Sequence, residues 1–269
     1  MTPTAMYDRN KTFWWSPQQP RRIIGKRILE NAGDALGPAL IDRILRANGQ
    51  DIHRMLKPRL LSIGSVMHFA HDQDTIWGTG INGKISLEHL KFKNLDVRAV
   101  RGPLTRQILE DRGITTPEIY GDPGILTSIF WEKSPPSGNS VFIPHMREDV
   151  PWRTRLRHKV LSPLTPLDEF ISIISGAKEV YSSSLHGIVI AESFGIPSKL
   201  IRNKSGEAPF KYQDYYEGTG RKDFRIFESI EEARSHSASA PDLEKCAKRL
   251  LAAFPYDLWE GPTAMKKSG

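Results

Sequence analysis

Residues 180–197, VYSSSLHGIVIAESFGIP, put a strand, a turn and a helix in immediate succession. Glu179 to Ser182 is the strand, and it delivers Ser182, Ser183 and Ser184 to its carboxyl end. Leu185-His186-Gly187 opens a helix that continues to Phe194. Gly195-Ile196-Pro197 breaks that helix, and Ser198 to Ile201 forms the next strand. Strands alternating with helices indicate a parallel sheet.

The same alternation recurs on both sides. Leu60 to Ile63, Thr75 to Trp77 and Val97 to Val100 are apolar runs that end in Gly64-Ser65, Gly78 and Arg101-Gly102. Pro103 is suited to the first helical position, Leu104, Ile108 and Leu109 supply an apolar face, and Gly113 stops the helix. Upstream, Asp34 reads as the N-cap of a helix over Ala35 to Ala47, with Leu36, Leu40, Ile41, Ile44 and Leu45 on one face. Lys133 to Ser140, KSPPSGNS, reads as a linker. Beyond it lie a strand at Val141 to Ile143, a helix at Leu167 to Ile174 stopped by Gly176, and a final amphipathic helix over Asp242 to Phe254. The expected architecture is α/β, with two Rossmann-like halves around a cleft: residues 1–132, residues 133–260 and a frayed tail at 261–269.

A helix N-terminus directly after a strand offers free N–H groups and a positive dipole end to an anion. Ser183 and Ser184 can add donors, Gly187 allows close approach, and His186 is placed to donate a proton or stabilise charge. Arg101, at another strand end, is a fork suited to carboxylate or phosphate, or equally the partner of a nearby acid. Asp122, in Gly121-Asp122-Pro123-Gly124, is a candidate base, although an Asx-type turn explains it more simply. Asn31, Gly33 and Asp34 are candidates to line the cleft, as is His145, which follows a strand and has Arg147 close by. In Lys211-Tyr212-Gln213-Asp214-Tyr215-Tyr216, the lysine suits a phosphate and the tyrosines suit a wall against a sugar ring.

The chain has 269 residues, 39% hydrophobic and 26% charged, the composition of a globular protein. One cysteine, Cys246, excludes an intrachain disulfide and a cysteine-rich zinc site, and fits a reducing compartment. The net charge of +7 favours an anionic partner or simply solubilises the surface. Basic Arg21, Arg22, Lys26 and Arg27 beside Phe13, Trp14 and Trp15 read as a strand and loop rather than a platform for bases, so nucleic acid is not an expected partner. No apolar run approaches the roughly 20 residues that cross a bilayer. Met1 to Asn10 lacks the apolar core of a secretory signal, so a cytoplasmic location is expected. Walker A, HExxH and GxSxG patterns are absent from the sequence.

In order and spacing, NAGDALGPALIDRIL (31–45), LLSIGSVM (60–67), IWGTGI (76–81), VRAVRGPLTRQIL (97–109), YGDPGIL (120–126), VFIPH (141–145) and SSSLHGIVIAESFGIP (182–197) resemble the polysaccharide pyruvyl transferase family. The resemblance implies a two-lobed fold similar to the GT-B glycosyltransferases, phosphoenolpyruvate as donor, and a pyruvate ketal on a sugar of a surface polysaccharide or its lipid-linked precursor. It implies no cofactor. Peripheral attachment to the inner membrane face follows only through a lipid-linked acceptor. By position, Arg101 looks like the arginine that binds donor carboxylate or phosphate. Leu185 and His186 look like the donor-site pair, with His186 as an imidazolium acid, and Lys211 like a late basic residue of the site. SSSLHG departs from relatives that carry an arginine before the leucine-histidine pair. The base for the sugar hydroxyls stays open among Asp34, Asp122 and His145. The alternative is a GT-B-type nucleotide-sugar glycosyltransferase, which would also hold phosphate at a helix N-terminus.

Overall fold

The computed structural model describes residues 6–15, 18–20, 26–28, 30–57 and 59–261. In the first half, strands β1 (Thr12–Phe13), β2 (Gln18–Pro20) and β3 (Lys26–Ile28) precede helix α1 (Ala32–Ala47), strands β4 (Leu60–Leu61), β5 (Thr75–Trp77) and β6 (Asp96–Ala99), and helices α2 (Pro103–Asp111) and α3 (Thr127–Phe130). The second half runs β7 (Ser140–Ile143), α4 (Trp152–Arg157), β8 (Lys159–Val160), α5 (Leu167–Ser175), β9 (Glu179–Ser182) and α6 (Leu185–Ser193). It continues with β10 (Ser198–Ile201), α7 (Phe210–Gly218), β11 (Ile226–Phe227), α8 (Ile230–Arg234) and α9 (Glu244–Ala252).

Two parallel sheets result. One has the order β1-β4-β5-β6, the other β11-β10-β9-β7-β8, and β2 and β3 form a separate antiparallel ribbon. This is the mixed α/β, Rossmann-like arrangement that the alternation predicts. Parallel sheets need both faces covered, which explains why their strands read as short uninterrupted apolar runs. Helix α6 is buried on every side, from Leu185 through Glu192 apart from His186, as expected of a helix that packs on a sheet and is itself covered. Its one buried acid, Glu192, accepts a hydrogen bond from Tyr215 and two from Arg221, all at 2.7 Å.

The largest hydrophobic cluster draws on both sheets: Leu60 and Trp77 from the first, and Val141, Val180 and Leu200 from the second, joined through α1 and α6. Helix α9 returns to the first sheet, where the Leu250 carbonyl accepts Trp77 Nε1–H at 2.9 Å. Lys133–Asn139 is irregular and mostly exposed.

Two local expectations change. Helix α1 starts at Ala32 with Asn31 as its cap, the side chain accepting the Gly33 amide at 3.0 Å. Asp34 is therefore inside the first turn, and its carboxyl is free of capping duty. Lys211–Tyr216, with no clear helical period, lies in α7. There Tyr212, Tyr215 and Tyr216 are buried in the core and form no wall for a sugar. Of the basic group near residue 21, Arg21 and Arg22 lie outside the described residues, as does 262–269 of the expected tail.

Candidate active site

The N-termini of α1 and α6 meet at one point. The ring of His186 lies so close over Gly33 that a Cβ there would overlap it. Only glycine lets the two helix starts approach this far. Beside them opens a cavity of about 370 Å³, lined by residues from both halves of the chain, among them Asn31, Asp34, Ser65, Lys84, His145, Arg147, Ser184, Leu185, His186, Glu207 and Lys211.

Its walls carry three cations, Lys84, Arg147 and Lys211, which favour an anionic occupant. Lys211 is buried, which lowers its pKa, while Glu207 at 2.6 Å partly offsets this. Burial pushes Glu207 up, but Lys211 and Lys84 overcome it and hold the carboxyl at about 2. Glu207 thus bridges the two lysines.

Two groups depart strongly from their ordinary protonation. Burial pushes the Asp34 carboxyl up to about 7, with Asp122 adding to the shift and Lys211 opposing it, so much of it is protonated near neutral pH. His186 goes the other way: burial, then the charges of Lys211 and Arg101, lower it to about 3. Its Nε2 is buried with no hydrogen-bond partner. The imidazolium expected from the sequence is therefore a neutral imidazole here. Apolar burial at a helix start surrounded by cations removes the proton that an exposed histidine would carry. His145 is likewise lowered to about 4 by burial and Lys211, its Nδ1 lying 3.0 Å from Ser205 Oγ.

Other sequence candidates fall behind the cavity wall. The Arg101 guanidinium has no exposed surface. It donates to Asp214 at 3.0 Å, to Ser65 Oγ at 2.7 Å and to the Ile81 carbonyl at 2.6 Å. It touches the cavity only through Ser65, and the pairing with an acid is the other option its sequence position left open. Asp214 also accepts the Thr105 amide and hydroxyl, which pins α7 against the start of α2 and so fixes Lys211 one turn away. Asp214→Ala would leave a buried guanidinium unpaired, a loss of roughly 3–5 kcal/mol. Thermal unfolding should show a Tm lower by on the order of 10 °C; an unchanged Tm would remove this joint from the fold's supports.

Asp122 is fully buried, makes the Asx turn to the Gly124 amide at 2.9 Å, and does not reach the cavity lining. Burial raises it to about 6, against the Gly124 amide and Arg101. Ser183 Oγ is committed to Glu148 and to the His145 amide, so it is not a free donor to a ligand. Gly187 is a packing glycine whose Cβ would overlap Ser182 Oγ, and it does not line the cavity. Ser184, Leu185, His186, His145, Asn31, Asp34 and Lys211 do come together there.

Lys84 and Glu207 were missed by the sequence reading. Lys84 sits in an irregular segment between β5 and β6 with no periodic pattern. The four-residue spacing of Glu207 and Lys211 was a visible signal for an ion pair, but it gains meaning only once α7 is known. No group of three or more His, Cys, Asp or Glu among the described residues is arranged to hold a metal ion.

An uncharacterized protein of Acanthamoeba polyphaga mimivirus is 28% identical over 176 residues. The match covers 59% of this chain and 59% of that protein. The sequence model of the polysaccharide pyruvyl transferase family matches residues 31–205, from the cap of α1 to the hydroxyl that meets His145. That span holds both helix starts, Asp34 and His186 included, and by this match the chain belongs to the polysaccharide pyruvyl transferase family.

Proposed function

We propose that the protein transfers the pyruvyl group of phosphoenolpyruvate onto two hydroxyls of one sugar, in a surface polysaccharide or its lipid-linked precursor, as a cyclic ketal. The observation that carries this reading is the placement of Asp34, its pKa raised to about 7 by burial, and His186, its pKa lowered to about 3, in one cavity with Lys84, Arg147 and Lys211. We further infer a two-lobed, GT-B-like organisation with lobes at 1–132 and 133–260 and a flexible 261–269. The parallel sheet in each half and the cavity lined from both halves support it.

The donor carries a carboxylate and a phosphate. Lys211, Lys84 and the N-terminus of α6 are suited to bind them, with the Arg101 charge acting from behind Ser65. Their negative charge raises both titrating groups: Asp34 becomes fully protonated, and the His186 pKa climbs back toward that of a useful base. Asp34 then gives its proton to the methylene carbon as C2 becomes electrophilic. The first sugar hydroxyl adds to C2 and passes its proton to His186 Nε2. The C2–O bond to phosphate breaks, and the departing phosphate takes the proton from His186. The second hydroxyl closes on C2 and returns a proton to the Asp34 carboxylate. Both side chains end as they began, with one phosphate and one ketal formed. No cofactor enters this sequence. Ser184 and Asn31 border the cavity as further polar contacts for donor or acceptor, and His145 acts by holding the segment after β7 in place.

Phosphate release from phosphoenolpyruvate, followed with candidate oligosaccharides and with product mass checked for a ketal, tests the proposal. Absence of release, with thermal stabilisation by nucleotide sugars instead of phosphoenolpyruvate, would favour the glycosyltransferase reading. Lys211→Met should raise the donor KM about tenfold or more, since a charge-assisted contact to phosphate is lost. Initial rates against donor concentration measure it, and an unaltered KM would take Lys211 out of donor binding.

A further inference from the structure

Helix α4 turns two large apolar side chains outward, Trp152 at 65% and Leu156 at 76% exposure, one helical turn apart. Thr154 and His158 face the other way. They line a small surface pocket with Val150 and Ile230, and His158 lies 3.4 Å from Glu231. Arg153, Arg155 and Arg157 are all exposed on the same short helix, with exposed Arg147 and Lys159 flanking it. Arg153 lies 5.4 Å from the Trp152 ring, and Arg155 donates to the Val150 carbonyl. Among the described residues, none of the three helix arginines forms an ion pair with a carboxylate. Glu148 is engaged by Ser183, and the nearby exposed acids are Asp149 and Glu231, the latter within reach of the Arg157 charge.

An indole and a leucine flanked by guanidinium groups that no carboxylate among the described residues neutralises match the chemistry of a membrane interface. The apolar groups fit the headgroup boundary, and arginines pair with phosphate oxygens. We propose that α4 docks the protein on an anionic phospholipid surface. The segment that brings His145 and Arg147 to the cavity runs directly into this helix. Docking therefore holds the cavity's rim close to the lipid surface, where a lipid-linked acceptor would be presented under the transfer reading above.

Cosedimentation of the full chain with phosphatidylglycerol–phosphatidylcholine vesicles, against phosphatidylcholine alone, at low and high salt, tests this. The expected result is partition onto the anionic vesicles that weakens with salt. The pair Trp152→Ser and Leu156→Ser should lower that partition about tenfold or more by removing the inserted apolar area. Arg153→Gln with Arg157→Gln should lower it by a similar factor and flatten its salt dependence. All four residues are exposed, so the variants should keep the wild-type Tm. Failure of the wild type to bind anionic vesicles, equal binding to neutral ones, or serine variants that bind like the wild type would overturn the proposal. The measurement needs neither donor nor acceptor, so its failure would leave the transfer reading standing.

Discussion

Asp34→Asn is expected to lower kcat by about 10²–10⁴-fold, the usual worth of a positioned acid. The amide keeps the size and polarity of the carboxyl but has no proton to give to carbon. The wild-type pH profile should carry the same signature. Burial sets the Asp34 pKa at about 7, and the group must be protonated to act. Hence kcat/KM should fall as pH rises above about 7, and that limb should vanish in the variant. Stability supplies a second, opposite readout. Between pH 4 and pH 7 the unfolded chain releases this proton while the folded chain holds it, so the wild type loses stability as pH rises through that window. Asparagine escapes this cost. The variant should therefore melt higher than the wild type at pH 8, with the gap closing near pH 4. A variant that keeps more than about a tenth of wild-type kcat would be too active for a missing acid.

His186→Ala should cost a similar factor of about 10²–10⁴ in phosphate release, because the hydroxyl's proton then has no acceptor and the phosphate no donor. Gly33→Ala should approach the same phenotype by another route, since the new methyl group occupies the space of the imidazole. Donor binding separates the two roles of the site. Lys211 and the α6 N-terminus persist in His186→Ala, so thermal stabilisation by phosphoenolpyruvate should largely remain. The pH dependence of stability again has a definite sign. The folded pKa of about 3 lies below the unfolded value near 6.5, so the unfolded chain binds the extra proton between these limits. The wild type should lose stability as pH falls through that window, and alanine should remove this part of the acid sensitivity. Full activity in His186→Ala would discard the imidazole from the mechanism.

Much of the fold was legible because parallel strands buried on both faces leave contiguous apolar runs ended by glycine. β9 and β10 lie at the residues read for them, and α5 ends at Gly176 as expected. The elements that escaped lack such a pattern. Helix α4 has exposed arginines around two outward apolar residues, and α7 mixes buried tyrosines with the buried charges Lys211 and Asp214. Their helical state rests on contacts made far away in the chain, such as Asp214 with Arg101 and Thr105.

By itself the sequence determined the alternation of strand and helix, the helix start at Leu185-His186-Gly187 able to receive an anion, and the presence of Asp34 at the start of a second helix. Tertiary structure decided what those groups are. Protonation depends on burial and on charges brought in from distant segments, so a histidine that reads as an acid becomes a neutral imidazole, and a capping aspartate becomes a buried acid. The reach of Arg101 was decided in the same way: its guanidinium has no exposed surface, because Asp214, Ser65 and the Ile81 carbonyl, brought in from distant segments, enclose it.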